Sequence, residues 1–169
     1  TKNILTNEDI KNFKSKWVSP LSIDLYGKTG WVTPPHTQSY LTLATLKTYE
    51  IITNSSKEIN PHLLIECYRS LAADRDQITY DYGDKIDSFI GLDFDYIKSK
   101  ALEIDVNQTS LFKSPENLGS GTAYMAVKDK GGNAVSLIQS NFYGIGSTIG
   151  VSDYGFFLHN RGAGFNLIE

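Results

Sequence analysis

Two residues of this sequence, Thr122 and Ser140, carry hydroxyl groups at a spacing that could support a chemical reaction. Thr122 begins an alternating run over residues 122–128, and a second run over residues 134–140 follows a polar turn around Gly131. Two such runs around a glycine turn predict a β-hairpin. With the turn centred on Gly131, Ser140 lies opposite Thr122 in an antiparallel pair. The pattern alone also fits a β-branched residue at a strand start with an ordinary cross-strand partner.

Three segments resemble the start of the small subunit of the γ-glutamyltransferase family: residues 122–133, 144–146 and 158–160. In that family a precursor cuts itself immediately before a threonine, which becomes the new N-terminus and the catalytic nucleophile. The family threonine lies seven residues before the turn aspartate, and Thr122 stands at that distance from Asp129. Family members often carry Thr-His after the nucleophile, where this chain has Ala123 and Tyr124.

The resemblance implies that the chain is cut between Gly121 and Thr122, which makes Thr122 both nucleophile and base. A threonine hydroxyl is a weak nucleophile and needs a base beside it. Attack of the Thr122 hydroxyl on the Gly121 carbonyl would move the acyl group from nitrogen to oxygen, and water would then release the preceding fragment. The freed α-amine, with a reference pKa of about 7.7–8.0, can act as the base near neutral pH. Ser140 would hold the Thr122 hydroxyl in position, as the family's second hydroxyl residue is thought to do.

The same resemblance assigns substrate contacts to the residues after the hairpin. Asn141 matches a family asparagine that contacts the substrate's amino group, and Gly144 and Gly146 permit close backbone approach to a ligand. The γ-glutamyl-specific enzymes have Gln and Asp where Arg161 and Gly164 align, and both hold the substrate's α-ammonium. An arginine would instead favour a carboxylate. This stretch looks more like the family's acylase-like and uncharacterised branches, so the substrate class stays open.

The fold implied by the resemblance is α+β, part of an αββα sandwich of the N-terminal-nucleophile hydrolase type. Residues 1–105 resemble the C-terminal part of the large subunit, residues 106–121 a linker with the processing segment, and residues 122–169 the start of the small catalytic subunit. We expect two further parts of the family's site to lie outside this sequence. They are an arginine for the substrate carboxylate and the paired glycines of the oxyanion hole.

The function implied by the resemblance is that of a zymogen in glutathione metabolism. It would cleave itself before Thr122 and transfer or hydrolyse an acyl group, γ-glutamyl in the first instance, through a Thr122 ester. An acylase for a glutaryl-type or other amide is one alternative, and a non-catalytic homologue that binds small acids or peptides is another. The partner would be a small-molecule acyl amide. The protein could be a homodimer or a heterodimer of processed subunits, and the sequence leaves both this choice and the cellular compartment open.

Composition and charge are those of an ordinary globular protein. The 169 residues are 40% hydrophobic and 21% charged, with a net charge of -3 and a pI of about 5.6. This charge excludes a strongly basic surface for nucleic acid or anionic membranes. No apolar run approaches the roughly 18 residues of a spanning helix. We also expect no cofactor and no metal site, because the acidic residues near residue 84 lack the ligand spacing and central glycine of a calcium loop.

Periodicity and capping residues predict the elements before the hairpin. They are a short helix capped by Thr6, strands over residues 21–26 and 30–33 with a turn at residues 27–29, and helices over residues 37–52, 60–77 and 92–104. Thr37 is the expected cap of the second helix, and Asn60 with Pro61 is a strong start signal for the third. Residues 106–121 are predicted to be an exposed loop, and residues 155–160 a strand.

Two further features of the predicted third helix concern its role. Ala73-Asp74-Arg75 matches a tripeptide characteristic of the family, and we expect it to be an ion-paired helix end rather than a catalytic element. Cys67, the single cysteine, falls on the apolar face of the same helix, which favours simple packing.

Overall fold

A computed structural model describes residues 6–56, 58–112 and 122–164 of the chain. The chain divides into two compact units, Thr1–Pro115 and Glu116–Glu169, and the boundary falls inside the predicted linker over residues 106–121. The predicted processing residue Gly121 lies outside the described residues. The described elements mix helices with three separate two-stranded antiparallel sheets, so the α+β class is confirmed.

The first unit is mostly helical around one small hairpin. Its elements are α1 (Asn7–Asn12), β1 (Leu21–Leu25), β2 (Lys28–Val32), α2 (Tyr40–Ile52), α3 (Pro61–Ala72), α4 (Arg75–Ile78), a 3-10 turn (Gly83–Ser88) and α5 (Phe94–Leu102). The predicted cap of α1 is confirmed. Thr6 Oγ1 accepts from Asp9 N at 3.2 Å, and the Asp9 carboxylate accepts from Thr6 N at 2.8 Å, which forms a reciprocal capping box.

The turn between β1 and β2 corrects the prediction. Leu25 pairs with Lys28, so the loop consists of Tyr26 and Gly27 alone and the predicted turn at residues 27–29 is wrong. Both loop residues have positive φ, +49° and +72°, the geometry that matches the twist of a two-residue hairpin. Tyr26 is an unusual residue at such a position, and its backbone N donates to the Glu50 carboxylate of α2 at 2.6 Å. A tertiary contact therefore fixes a turn that local sequence did not indicate.

The start of α2 also differs from the prediction. Ser39, not Thr37, is the N-cap residue, and its side chain makes no capping hydrogen bond. The Thr37 hydroxyl instead lies 2.9 Å from the Ser39 hydroxyl and 3.1 Å from that of Thr33, so it joins the loop to the end of β2. The predicted end of this helix at Ile52 is confirmed.

The helix predicted over residues 60–77 begins as expected but ends early. Asn60 accepts from Leu63 N at 3.2 Å with Pro61 in the first turn, yet α3 ends at Ala72 and a short α4 follows. The chain leaves the ideal helix at Asp74, whose φ and ψ are -96° and -3°. The Asp74 carboxylate pairs with Lys100 Nζ of α5 at 2.8 Å, which confirms the expected ion-paired helix end.

The core of the first unit lies between α2, α3 and α5. One buried cluster consists of Tyr40, Leu41, Ala44, Leu71 and Ile97, and a second of Tyr49, Leu63, Cys67 and Ile104. Cys67 is fully buried, as predicted, and burial raises the pKa of its thiol to about 12. A thiol so protonated is a packing group, not a nucleophile.

The second unit is a longer hairpin followed by a loop-rich segment. Its elements are β3 (Thr122–Lys128), β4 (Ala134–Ser140), β5 (Gly150–Val151), β6 (Phe156–Phe157) and a 3-10 turn (Arg161–Gly164). The strand predicted over residues 155–160 is only Phe156–Phe157, paired with β5, which the sequence did not indicate. Gly155 belongs to the preceding turn with φ of +70°, and the backbone of Asn160 pairs with Asn141.

A buried carboxylate ties α3 to the segment that follows α5. Glu66 is 1% exposed and accepts from Ser110 N at 2.8 Å and from the Arg69 guanidinium, which also donates to Ser110 O at 3.0 Å. Burial alone would raise the pKa of Glu66, but the hydrogen bonds from Ser110 and Arg69 outweigh it and lower the pKa below 4.5. The ionised carboxylate therefore stabilises the fold of the first unit.

We predict that Glu66→Gln lowers the free energy of unfolding of the first unit by about 1–3 kcal/mol at pH 7, since charge-assisted hydrogen bonds are lost. Because the folded pKa lies below the unfolded value, this contribution is complete above pH 4.5 and is lost as the pH falls through the folded pKa. Denaturation followed by far-ultraviolet circular dichroism measures it, since helices α1 to α5 all belong to this unit. Glu58→Gln, at an exposed carboxylate, is the control and should change stability by less than about 0.5 kcal/mol. Equal effects of the two substitutions would contradict the assigned role of Glu66.

Candidate active site

The hairpin of the second unit has the register that the sequence predicted. Thr122 pairs with Ser140 at the open end, and Lys128 pairs with Ala134 beside the turn. The Asp129 carboxylate closes that turn by accepting from Asn133 N at 2.9 Å and from its Nδ2 at 2.8 Å. These hydrogen bonds from Asn133 lower the pKa of Asp129, so the carboxylate stays ionised at neutral pH. Asp129, which lies seven residues after Thr122 as in the family, thus sets the register that brings Thr122 to Ser140.

The two predicted catalytic hydroxyls are in direct contact. Thr122 Oγ1 donates to Ser140 Oγ at 2.8 Å, and the backbone N of Phe142 donates to the same oxygen at 3.0 Å. Ser140 Oγ therefore accepts two hydrogen bonds, and its own proton is directed to neither of these groups. The arrangement fixes the position of the Thr122 hydroxyl, and it leaves one hydroxyl proton of the pair as a donor.

The loop after β4 contains three of the predicted substrate-binding residues, Asn141, Gly144 and Gly146. Asn141 Nδ2 donates to Ile145 O at 3.4 Å, and Gly144 and Gly146 adopt φ of +52° and +90°. A Cβ on Gly146 would lie 2.4 Å from the carbonyl oxygen of Leu158, so the close approach that requires this glycine is to the chain itself. At Gly144 a Cβ would meet nothing within 4 Å, and the positive φ alone favours glycine there.

Arg161 and Gly164 both lie against the ring of Phe142. The Arg161 guanidinium carbon is 5.3 Å from the ring centroid, a cation–π distance, and a Cβ on Gly164 would lie 3.6 Å from the far end of the ring. Within the described second unit, Arg161 forms no ion pair with Asp153 or any other carboxylate. The backbone N of Phe142 donates to Ser140 Oγ. Arg161 is therefore connected to the hydroxyl pair through Phe142 and does not contact it directly in this series.

Asn160 has a role that the sequence did not indicate, beyond its place in the stretch 158–160 that resembles the family. Its side chain accepts from Tyr143 N at 2.9 Å and donates to Tyr143 O at 3.3 Å and to Gly146 O at 3.0 Å. An asparagine amide matches a backbone peptide group in its donor and acceptor, which suits it to bridge a loop. Asn160 lies 14 to 17 residues after the loop residues that it contacts, Gly146 and Tyr143. Local sequence patterns therefore could not predict this role.

The described part of the chain contains neither a candidate metal-binding cluster nor a helix that could span a membrane. Its acidic, histidine and cysteine side chains form no group of three that could hold a metal ion. No helix among these residues is both long and apolar enough to cross a membrane.

Comparison with known proteins identifies relatives along the whole sequence. The family model for gamma-glutamyltranspeptidase matches residues 1–169. The chain is 37% identical to a glutathione hydrolase-like YwrD proenzyme of Bacillus subtilis, over 98% of this chain and 32% of the relative. It is 29% identical to a glutathione hydrolase proenzyme of Pseudomonas aeruginosa, over 95% of this chain and 30% of the relative. An oxamate amidohydrolase proenzyme of Klebsiella pneumoniae is 28% identical, over 96% of this chain and 31% of the relative.

No solved structure matches the chain significantly. The chain spans about a third of the length of these curated relatives, all of which are named as proenzymes of hydrolases. The paired hydroxyls of Thr122 and Ser140, in the register set by Asp129, lie within the matched region. Since the family model covers every residue of the sequence, the chain belongs to the gamma-glutamyltranspeptidase family.

Proposed function

We propose that the whole protein is a proenzyme that cuts itself between Gly121 and Thr122 and then hydrolyses or transfers an acyl group through an ester on Thr122. The observation that carries the proposal is the 2.8 Å hydrogen bond from Thr122 Oγ1 to Ser140 Oγ. Family membership and the proenzyme names of the relatives support it. Hydrolysis or transfer as a general activity follows from the family, whereas the Thr122 ester is our inference.

The proposed fold of the whole protein is an αββα sandwich of the N-terminal-nucleophile type. In the second unit taken by itself, β3 and β4 expose apolar side chains on both faces, among them Tyr124, Met125 and Val127. Strands of this composition are typical of sheets covered on both faces. An isolated two-stranded hairpin is also marginally stable in water, which favours its incorporation in a larger sheet.

The first proposed step is an acyl shift. Thr122 Oγ1 attacks the Gly121 carbonyl carbon, loses its proton and forms a C–O bond, while the C–N bond breaks and the Thr122 nitrogen takes up a proton. Water then hydrolyses the ester, which leaves a carboxylate on Gly121 and a free α-amine on Thr122. In this step Ser140 fixes the direction of the Thr122 hydroxyl; a serine hydroxyl is too weakly basic to remove its proton.

The second step uses the amine that the first step releases. With a reference pKa of about 7.7–8.0, the amine is substantially neutral at slightly alkaline pH and accepts the Thr122 hydroxyl proton. The oxygen then attacks the acyl carbon of an amide, the amide nitrogen leaves with a proton, and an acyl ester forms on Thr122. Water releases the acid in hydrolysis, and an amine acceptor takes the acyl group in transfer.

The substrate class is proposed as a small acyl amide, γ-glutamyl or glutaryl. One relative is named as a glutathione hydrolase and another as glutathione hydrolase-like, which favours a γ-glutamyl substrate. A third relative is named as an oxamate amidohydrolase. The guanidinium of Arg161 over Phe142 favours the second candidate, an acylase for acyl groups without an α-ammonium. Asn141 and the loop through Gly144 and Gly146 would contact the acyl group in either case.

Self-cleavage is tested with Thr122→Ala in the full-length protein. The wild type should yield two fragments that separate at Gly121 and Thr122, whereas the variant, which lacks the attacking oxygen, should remain one chain. Intact mass spectrometry measures both. Thr122→Ser keeps a hydroxyl and should still be cut, at a reduced rate. Cleavage of Thr122→Ala at the same bond, or an uncut wild type without turnover, would reject the proposal and leave a binding homologue.

Ser140→Ala should slow maturation or turnover by about 10-fold or more, equivalent to roughly 1.4 kcal/mol, since both Thr122 and Phe142 lose their acceptor. Time courses of cleavage and kcat measure the effect. Ser136→Ala, on the same strand and four residues away, is the matched control and should leave both rates unchanged. Equal rates in wild type and Ser140→Ala would show that the contact has no catalytic role.

Arg161→Gln should raise kcat/KM for a γ-glutamyl anilide relative to the glutaryl anilide by about 10-fold, because a positive charge no longer opposes the α-ammonium. Lys130→Gln removes a positive charge at the turn end of the hairpin and should leave the ratio unchanged. Measurement of kcat/KM for both substrates decides. A strong γ-glutamyl preference in the wild type that Arg161→Gln does not alter would sink the specificity argument.

A further inference from the structure

The loop that follows β4 is held by one residue that the proposed reaction has not yet used. Asn160 contacts this loop through four hydrogen bonds: three from its side chain to Tyr143 and Gly146, and one from its backbone N to Asn141 O at 3.2 Å. The side-chain bonds to Tyr143 reach both its N–H and its carbonyl. Since Asn141 and Tyr143 flank Phe142, Asn160 fixes the chain on both sides of Phe142.

Phe142 needs such support because its backbone is strained. Its φ is +78°, a region that non-glycine residues rarely adopt because the side chain clashes with the backbone there. In this conformation its N–H points to Ser140 Oγ at 3.0 Å. This N–H shares one planar peptide group with Asn141 O, which accepts from Asn160 N at 3.2 Å. If the loop relaxed and this peptide group rotated, the N–H would turn away and Ser140 would lose one of the two donors that fix its oxygen. The position of Ser140 Oγ then sets that of Thr122 Oγ1, 2.8 Å away.

We propose that Asn160 is a positioning residue for the reaction of Thr122, acting through Phe142 and Ser140; this rests on the proposed function. Continuous contacts carry the argument, from the Asn160 amide to the loop backbone, from Phe142 N to Ser140 Oγ, and from Ser140 Oγ to Thr122 Oγ1. Asn160 itself touches neither hydroxyl. Its effect is to hold the strained loop so that the hydroxyl pair is ready before substrate arrives.

The chemistry of the side chain gives a specific signature. The Asn160 amide nitrogen donates to two carbonyl oxygens, those of Tyr143 and Gly146. In Asn160→Asp the acceptor for Tyr143 N remains, but a carboxylate oxygen replaces the donor and faces two carbonyls. Those carbonyls disfavour the charged form and raise the pKa of the new carboxyl. A protonated carboxyl can again donate, so the defect should diminish as the pH falls.

The experiment uses the full-length protein. It compares the wild type with the single variants Asn160→Ala, Asn160→Asp and Ser140→Ala and with the double variant Asn160→Ala/Ser140→Ala. We expect Asn160→Ala to reduce the cleavage rate or kcat by about 10-fold with KM changed less than about twofold. In the Ser140→Ala background the same substitution should have little further effect, since the two residues act on one contact. The rate of Asn160→Asp relative to wild type should rise between pH 8 and pH 5.

Ser152→Ala is the control, because the Ser152 hydroxyl donates to the adjacent Asp153 carboxylate at 3.4 Å, outside the contacts that link Asn160 to Thr122. It should leave both rates near wild type even where it lowers Tm. If Asn160→Ala does not fold, Asn160→Asp, which keeps the size and one hydrogen bond, carries the test. Wild-type rates in Asn160→Asp at every pH, or full additivity with Ser140→Ala, would overturn the positioning role while leaving the proposed function intact. An inert wild type would overturn the proposed function and the positioning role with it.

Discussion

The hydrogen bond between Thr122 and Ser140 is the interaction on which the candidate site depends, and it exists only in one register of the hairpin. Side chains alternate along a strand, so a slip of one residue would turn Ser140 to the opposite face. The register is set at the far end, where the Asp129 carboxylate binds the backbone and side chain of Asn133. An ionised turn residue about seven residues away thus determines whether the two hydroxyls meet.

The two ends of this hairpin are built on different principles. The turn end is closed by a local interaction between residues four apart, which a short sequence can specify on its own. The open end relies on Asn160, which is remote in sequence, and on a residue of positive φ, Phe142. Strained backbone held by tertiary hydrogen bonds is common where side chains must be placed accurately. The contrast supports the proposal that the open end is the functional one, and it does so independently of any family resemblance.

The same distinction decides which features the sequence could predict. The caps at Thr6 and Asn60 and the register of Thr122 with Ser140 were predicted, because each depends on residues within one element or one turn. The two-residue turn at Tyr26 and the early end of α3 were not. The first depends on Glu50 of α2 and the second coincides with the pairing of Asp74 to Lys100 of α5, and such partners have no signal in local periodicity.

Phe142 shows why the candidate site could be predicted only in part. Asn141, Gly144, Gly146 and Arg161 were all identified as candidates, but the residue between them that connects the site was not, since a phenylalanine gives no chemical signal. Its backbone N contacts Ser140, while its ring packs against the Arg161 guanidinium. One residue therefore links the geometry of the hydroxyl pair to the group proposed to select the substrate. We therefore expect a change at Arg161 that shifts this ring to act on the backbone that supports Ser140 as well, which would couple the proposed specificity to the proposed rate.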